Sequence, residues 1–222
     1  MSNATARKPK AYKGIGLEGP LATWYAKNTL GSMPAFRSRA REIADQLDPG
    51  DWVLEVAPGP GYLAIELARL GLTVATLDIS RAFVRIAAEN AVRAGVKLDI
   101  RLGDAAHMPF ADESFDFVVC CAAFKNFSDP VGALTEMRRV LRPGGRVLLV
   151  DMRREASDGE IAQEVTKMKL GGVDALFTRG ALRSLRRRAY TAADFTRMIG
   201  EAGYSASRID PGPIGFEIRL TR

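Results

Sequence analysis

An open, doubly wound α/β sheet of seven strands, mostly parallel with an antiparallel last strand, is the fold class this sequence predicts, on three observations. Short apolar runs alternate with amphipathic stretches from Asp51 to Met152, which calls for βαβ units with right-handed crossovers. The run Phe115–Cys121 is almost wholly apolar, as suits a parallel strand covered on both faces. The last two apolar runs, about Ser205–Ile209 and Phe216–Thr221, are separated only by Asp210-Pro-Gly-Pro-Ile-Gly215. So short a link has no room for a helix and makes that pair antiparallel.

Taken in order, residues 1–12 read as a flexible tail. In Met33–Leu47, Phe36, Ala40, Ile43, Ala44 and Leu47 recur at spacings of three and four, predicting an amphipathic helix laid on the domain. Asp51–Val56 is the first strand, and Pro60–Leu70 a helix with proline at its first position, stopped by Gly71. Val74–Asp78 is the second strand, and Ser80 caps a helix that runs to Ala94 and ends at Gly95. Lys97–Gly103 and Phe115–Cys121 follow as strands three and four. Asp129 and Pro130 open a helix with a stripe of Leu134, Met137, Val140 and Leu141, which Arg142-Pro-Gly-Gly145 breaks before a fifth strand, Gly145–Met152. Asp158–Leu170 is helical through Ile161, Val165 and Met168, and a looser stretch leads from there to Arg188. Thr191-Ala-Ala-Asp194 is a capping box with Asp in place of Glu, opening a helix that ends near Gly203.

Composition bounds the function. At 222 residues, with 47% apolar and 26% charged, the chain suits one α/β domain with a substantial core. The longest unbroken apolar run, Phe117–Phe124, falls far short of the roughly 20 residues a membrane span needs. The start is polar and basic with no apolar segment behind it, which predicts no secretory leader and a cytoplasmic protein. Cys120 and Cys121 are neighbours that a strand points to opposite faces, so they read as reduced core thiols. His107 is the single histidine and reads as a loop or surface residue; with no spaced Cys/His cluster, no metal site is expected. The net charge of +6 gathers at Arg7, Lys8, Lys10 and Lys13, and at Arg179, Arg183, Arg186, Arg187 and Arg188. Such clusters meet nucleic acid, anionic lipid or an acidic substrate, or they form a solvated helix face.

Ligands of open α/β sheets bind outside the carboxyl ends of the strands, where strand order reverses. The loop Ala57-Pro-Gly-Pro-Gly61 stands at such an end. Pro58 and Pro60 carry no N–H, so two donors are missing from a would-be phosphate cradle. Gly59 and Gly61 still let a ligand approach the backbone, which suits a nucleoside without phosphates. Glu55, inside an apolar strand, would be costly if unpaired; it takes loop amides, a cationic ligand group or a buried ion pair. Asp78 ends the second strand 19 residues beyond Gly59, the position of an acid that accepts ribose hydroxyls. Asp104 follows Gly103 at the end of the third strand, where a carboxylate can accept an adenine amino group.

These stretches together resemble the class I S-adenosylmethionine-dependent methyltransferases, particularly the small-molecule group that includes quinone-biosynthesis C-methyltransferases. VLEVAPGPGYLAIELA resembles their glycine loop, TLDIS their ribose-binding acid, GDAAHMPFADESFDFVVC their adenine loop, and LTEMRRVLRPGGRVLLVDM their fifth helix and strand. The resemblance implies a Rossmann-like methyltransferase fold and S-adenosylmethionine as cofactor. By position it implies that Glu55 and the Gly59–Pro60–Gly61 backbone, with Ala57, handle the methionine part. Asp78 would hold the ribose, Ile79 and Ala105 would flank the adenine that Asp104 binds, and the Ala122 carbonyl would meet the methionine ammonium. Ala57 stands where the family has glycine, an exchange that a negative φ would accommodate. The implied organisation is an N-terminal tail and lid over 1–32 and one domain over 33–222, with a variable helical cover at 155–190.

Positioning and exclusion of water carry most of such a transfer, since the sulfonium methyl is already activated. The acceptor expected is a small molecule, nucleophilic or easily enolised. Phe124 and Phe127 are expected to wall its pocket and Lys125 and Asn126 to orient an oxygen, unless this loop simply packs on the core. Tyr25 and Tyr190 are expected to reach over the methyl from the two covers. No Asp/Asn-Pro-Pro-Tyr/Phe follows the fourth strand, which argues against methylation of nucleic acid bases. Two alternatives stay open: RNA or membrane-lipid methylation through the Arg179–Arg188 cluster, and a nicotinamide oxidoreductase on the loose fingerprint Gly59-x-Gly61-x-x-Ala64.

Overall fold

The computed structural model describes Lys13 and residues 18–222. The tail expected over 1–12 lies outside the described residues. Seven strands form one sheet: β1 (Trp52–Val56), β2 (Thr73–Asp78), β3 (Asp99–Leu102), β4 (Phe115–Cys121), β5 (Leu141–Met152), β6 (Ala206–Pro211) and β7 (Gly215–Thr221). Their order is β3-β2-β1-β4-β5-β7-β6. The first five pair in parallel, and β7 lies antiparallel between β5 and β6. Strand order reverses at β1, whose neighbours are β2 and β4, so the carboxyl end of β1 is the switch point.

Helices α1 (Gly19–Thr29), α2 (Met33–Ala44), α3 (Tyr62–Arg69), α4 (Arg81–Ala94), α5 (Pro130–Val140), α6 (Asp158–Lys167), α7 (Gly172–Arg186) and α8 (Ala192–Glu201) cover the sheet and its edge. Leu54 and Val56 of β1 share a core with Leu134 and Met137 of α5 and Phe195 and Met198 of α8. Val53 belongs to the opposite core, with Ala40 and Ile43 of α2 and Leu63 and Leu67 of α3. Each fully buried Leu or Phe stabilises the fold by about 2 kcal/mol, so both layers are firmly held. The same alternation sends Cys120 to the α5/α8 core and Cys121 to the α2/α3 side, both as free thiols.

Capping follows the sequence closely. Ser80 accepts from the Phe83 amide at 3.1 Å and Gly95 ends α4 in the left-handed region. Asp129 caps α5, and Thr191 and Asp194 form the capping box of α8. A second capping box, Ser157 with Glu160, opens α6.

Three expectations are corrected. Helix α3 begins at Tyr62 and not at Pro60, because Gly61, at φ 77°, serves as its N-cap. A Cβ on Gly61 would stand 3.1 Å from Ala87 Cβ, so the left-handed turn and the close approach of α4 both require glycine. Arg142–Gly145 does not separate helix from strand: Phe115 pairs with Leu141 and Phe117 with Arg146, leaving the four residues as a bulge within β5. The stretch expected to be loose is the helix α7; its inner side lays Leu182 and Leu185 on Met152, Ala156, Ile161 and Ala189. Within the segment expected as tail and lid, α1 lays Ala22 and Ala26 on Ala82, Phe83 and Ile86 of α4, which leaves that expectation standing.

Candidate active site

The switch point carries a pocket of about 320 Å³. It is lined at the strand ends by Ala57, Gly59, Asp78, Asp104 and Ala122, and closed from outside by Tyr25 of α1. The glycine loop is tied to β2 at both ends: the Ala57 amide donates to the Leu77 carbonyl at 2.7 Å, and the Gly59 amide to Asp78 Oδ2 at 3.1 Å. Asp78 Oδ1 accepts from the Ser80 amide at 2.9 Å. Its carboxylate is thus fixed by backbone donors and still faces the pocket. Burial pushes the Asp78 carboxyl up to about 6, against the lowering effect of these amides.

Glu55 is buried on the α2/α3 side of the sheet, just under the loop. It accepts from the Ala64 amide, and Oε2 has no hydrogen-bond partner. Burial, reinforced by Asp78, pushes its carboxyl up to about 8. Glu55 does not line the pocket, although an orphaned carboxylate oxygen is the feature a cationic ligand group would satisfy.

Ile79, Ser80, Phe83, Gly103 and Ala105 complete the β2/β3 side. Asp104 Oδ1 accepts from the Ala106 amide at 3.0 Å, and His107 is a largely exposed loop residue beside it, as expected. Pro60 and Gly61 do not line the pocket; the Pro60 carbonyl accepts from Asn90 of α4 at 2.8 Å. Their place is beneath the loop, holding it to α4.

Three residues after β4 and in the glycine loop differ from expectation. Ala57 has φ 56°, not a negative value, because the loop turns sharply to meet β2. Phe124 is fully buried against Phe127, Tyr190 and Phe195; Phe127 is the aromatic residue that reaches the pocket wall. Lys125 is buried too, its ammonium shared between Asp151 Oδ1 at 2.9 Å and the Ala122 carbonyl, so it cannot itself orient an acceptor oxygen. Ala122, at φ 59°, lines the pocket with that carbonyl already held by one donor and one lone pair free. Asn126 lines the pocket, with Oδ1 buried and without a partner. Tyr25 packs edge-on against Phe83, with ring centroids 5.7 Å apart, and lies over Gly59. Tyr190 stands behind the wall and accepts from Lys13 Nζ at 2.6 Å.

The sequence reading missed Lys13, Glu18, Phe83, Leu185 and Arg188 as pocket residues. Phe83 was within reach, lying in the first turn of the helix after Asp78. Of the basic cluster, Arg183 and Arg186 are engaged by Asp158 at 3.1 and 2.9 Å, and Arg188 turns into the pocket. Among the described residues no helix is long and apolar enough to cross a membrane.

With this geometry in place, residues 54–149 match the family model of a methyltransferase domain. This stretch of the chain is similar to a methyltransferase domain. A demethylmenaquinone methyltransferase of Mycobacterium sp. (strain KMS) is 38% identical over 155 residues, 68% of this chain and 64% of that one. The ubiquinone/menaquinone biosynthesis C-methyltransferase UbiE of Cupriavidus pinatubonensis is 36% identical over 120 residues, 53% and 49% of the two chains. The chain therefore spans about half to two thirds of the length of these curated relatives. Among solved structures, a candidate S-adenosyl-L-methionine-dependent methyltransferase of Methanococcus maripaludis superposes with a TM-score of 0.73 at 22% identity, covering 95% of each chain. A methyltransferase of Aquifex aeolicus of the same cofactor dependence gives 0.63 at 18%, covering 82% of this chain and 88% of that one. The likeness to these two structures is one of fold, an open α/β sheet with β7 between β5 and β6.

Proposed function

We propose that the protein transfers the methyl group of S-adenosylmethionine to a ring carbon of a small quinone-type acceptor, by in-line displacement. The observation that supports this reading best is the single pocket at the switch point. Its strand-end half is acidic, with Glu18, Asp78 and Asp104, and its other half runs past Ala122 to Ala123 and Phe127. The curated relatives are named for C-methylation in ubiquinone and menaquinone biosynthesis, which is the source of the acceptor class.

When bound, the cofactor supplies a methyl group already activated on a sulfonium. Asp78 accepts the ribose hydroxyls, Asp104 the adenine amino group, and Ile79 and Ala105 pack on the base. Glu55 and the Ala122 carbonyl share the ammonium, which gives the orphaned Oε2 its partner. Tyr25 and Phe127 exclude water from the space between cofactor and acceptor, and Asn126 presents Oδ1 to a donor on the acceptor. The chemistry asks for alignment more than for a strong base, and no histidine lines the pocket.

The test is incubation with methyl-labelled S-adenosylmethionine and a reduced demethylated quinone, with the product identified by mass. A labelled C-methyl product that disappears in Asp78→Ala supports the reading. Tight binding of S-adenosylhomocysteine with no transfer to any quinol would overturn the acceptor class, and no binding at all would overturn the whole reading.

A further inference from the structure

The pocket is divided by charge. Glu18, Asp78 and Asp104 stand on the β2/β3 side, and two cations, Lys13 and Arg188, stand on the side of β4 and β5. Both cations are anchored there by the backbone and by Tyr190. The Lys13 amide donates to the Asn126 carbonyl at 2.5 Å, just past β4. Its Nζ donates to the Tyr190 hydroxyl at 2.6 Å and lies 4.9 Å from the centre of that ring. Tyr190 is itself bridged to Arg153, the residue after β5. Arg188 reaches the same point, with Nη1 donating to the Lys13 carbonyl at 3.4 Å.

Neither cation meets a carboxylate among the described residues. Elsewhere on the same cover Arg183 and Arg186 pair with Asp158 and Arg153 with Glu160, while Arg154, Arg179 and Arg187 pair with no carboxylate among the described residues. Two unneutralised cations lining one small cavity repel each other and favour an anion between them. The neighbouring wall is apolar, from Phe127 and Leu185, and Asn126 Oδ1, without a partner among the described residues, is free to accept a hydrogen bond.

We infer that Lys13 and Arg188 form an oxyanion subsite for the acceptor, which binds as an ionised aromatic molecule. The acceptor's carboxylate or phenolate oxygen lies against the two cations and its ring against Phe127 and Leu185. A guanidinium and an ammonium on one oxyanion make charge-assisted hydrogen bonds, stronger than neutral ones. The inference rests on the methyltransferase reading for the location of the cofactor on the acidic side.

The test uses binding of matched probes to the full chain saturated with S-adenosylhomocysteine, followed by calorimetry. The carboxylate arm compares 2-naphthoate with 2-naphthamide, and the phenolate arm compares 4-nitrophenolate with 4-nitroanisole. At least one anion is expected to bind about tenfold tighter than its neutral partner, and which arm wins identifies the oxyanion. That preference is expected to vanish in Arg188→Gln and Lys13→Gln, to survive in Arg188→Lys, and S-adenosylhomocysteine affinity is expected to stay within about twofold throughout. Equal binding of anion and neutral probe in both arms overturns the subsite. So does a tenfold loss of S-adenosylhomocysteine affinity in Arg188→Gln, which would give the arginine to the cofactor's carboxylate. Failure of the wild-type chain to bind S-adenosylhomocysteine overturns the methyltransferase reading instead, and is seen before either arm is run.

Discussion

Lys125 Nζ lies 2.9 Å from Asp151 Oδ1, and both side chains are almost completely shielded from water, at 5% and 1% exposed. The pair joins the end of β4 to the end of β5 beneath the acceptor side of the pocket. Asp151 also accepts from the Lys125 amide at 2.8 Å and the Met152 amide, and the ammonium donates to the Ala122 carbonyl. One buried ion pair thus fixes both the turn after β4 and the left-handed Ala122. Lys125 is therefore a positioning residue.

Removing one member of such a pair strands the other without compensation, which costs about 3–5 kcal/mol. Asp151→Asn is expected to lower the unfolding midpoint by about 6–20 °C, since each kcal/mol is worth about 2–4 °C at this chain length. Lys125→Met is expected to cost less, because Asp151 keeps its two amide donors. Thermal denaturation of both variants checks the order, and an unchanged midpoint for Asp151→Asn would show that the pair is not a strut.

The strain at Ala57 gives a second prediction. A left-handed φ of 56° costs a non-glycine residue roughly 1–2 kcal/mol, while glycine gives back about 0.5–1 kcal/mol through a freer unfolded chain. Ala57→Gly is expected to be neutral to slightly stabilising, by up to about 1 kcal/mol. Ala57→Val, β-branched at positive φ, is expected to destabilise by more than about 2 kcal/mol. Urea denaturation of the two variants side by side measures both, and a stabilised Val variant would refute the loop geometry.

Asp78 is held by the Gly59 and Ser80 amides and still faces the pocket. Asparagine keeps one acceptor oxygen, so one charge-assisted hydrogen bond to the ribose is lost, worth about 1.5–3 kcal/mol. Asp78→Asn keeps the shape and is expected to weaken S-adenosylhomocysteine binding by about 10–100-fold, with far-UV circular dichroism unchanged. Calorimetric titration reads the affinity, and a wild-type value in the variant would remove Asp78 from the cofactor site.

What the sequence made legible follows from how local each signal is. The strands, Ser80, Asp129 and the Thr191–Asp194 box are set by residues within one turn of each other, and the structure keeps all of them. Asp78 and Asp104 were readable because strand ends converge on the switch point. Lys125 was misread because a lysine in a loop looks solvent-facing until its partner, Asp151, is known to stand at the end of the neighbouring strand 26 residues away. The same holds for Lys13 and Tyr190, which meet across 177 residues with no motif at either end. Ala57 failed for a different reason: the sign of φ depends on how the loop meets β2, and alanine carries no mark of it. Helix α7 was missed because Gly171, Gly172 and Gly180 read as loop residues, although its apolar positions recur at helical spacing as they do in α2.

The last prediction concerns pH. Burial raises Glu55 from its ordinary value of 4.5 to about 8, and Asp78 from 3.8 to about 6. A folded-state pKa above the unfolded one means that the folded protein holds its proton more tightly, so this stabilisation is full below about pH 4 and is lost as pH rises towards 8. The cofactor-free protein is therefore expected to melt at progressively lower temperature between about pH 5 and 8. Cofactor binding reverses the preference, because an ammonium beside Glu55 favours the carboxylate. Affinity for S-adenosylhomocysteine is expected to rise by up to about tenfold per pH unit over the upper part of that window, with a proton released on binding. Glu55→Gln carries no titratable group there: it is expected to flatten the stability profile above about pH 6, leaving the share of Asp78 below it, to abolish the proton release between about pH 6 and 8, and to weaken binding at pH 8. Titrations in two buffers of different ionisation enthalpy count the proton directly. Release that persists undiminished in Glu55→Gln would assign it to another group and leave Glu55 a structural residue.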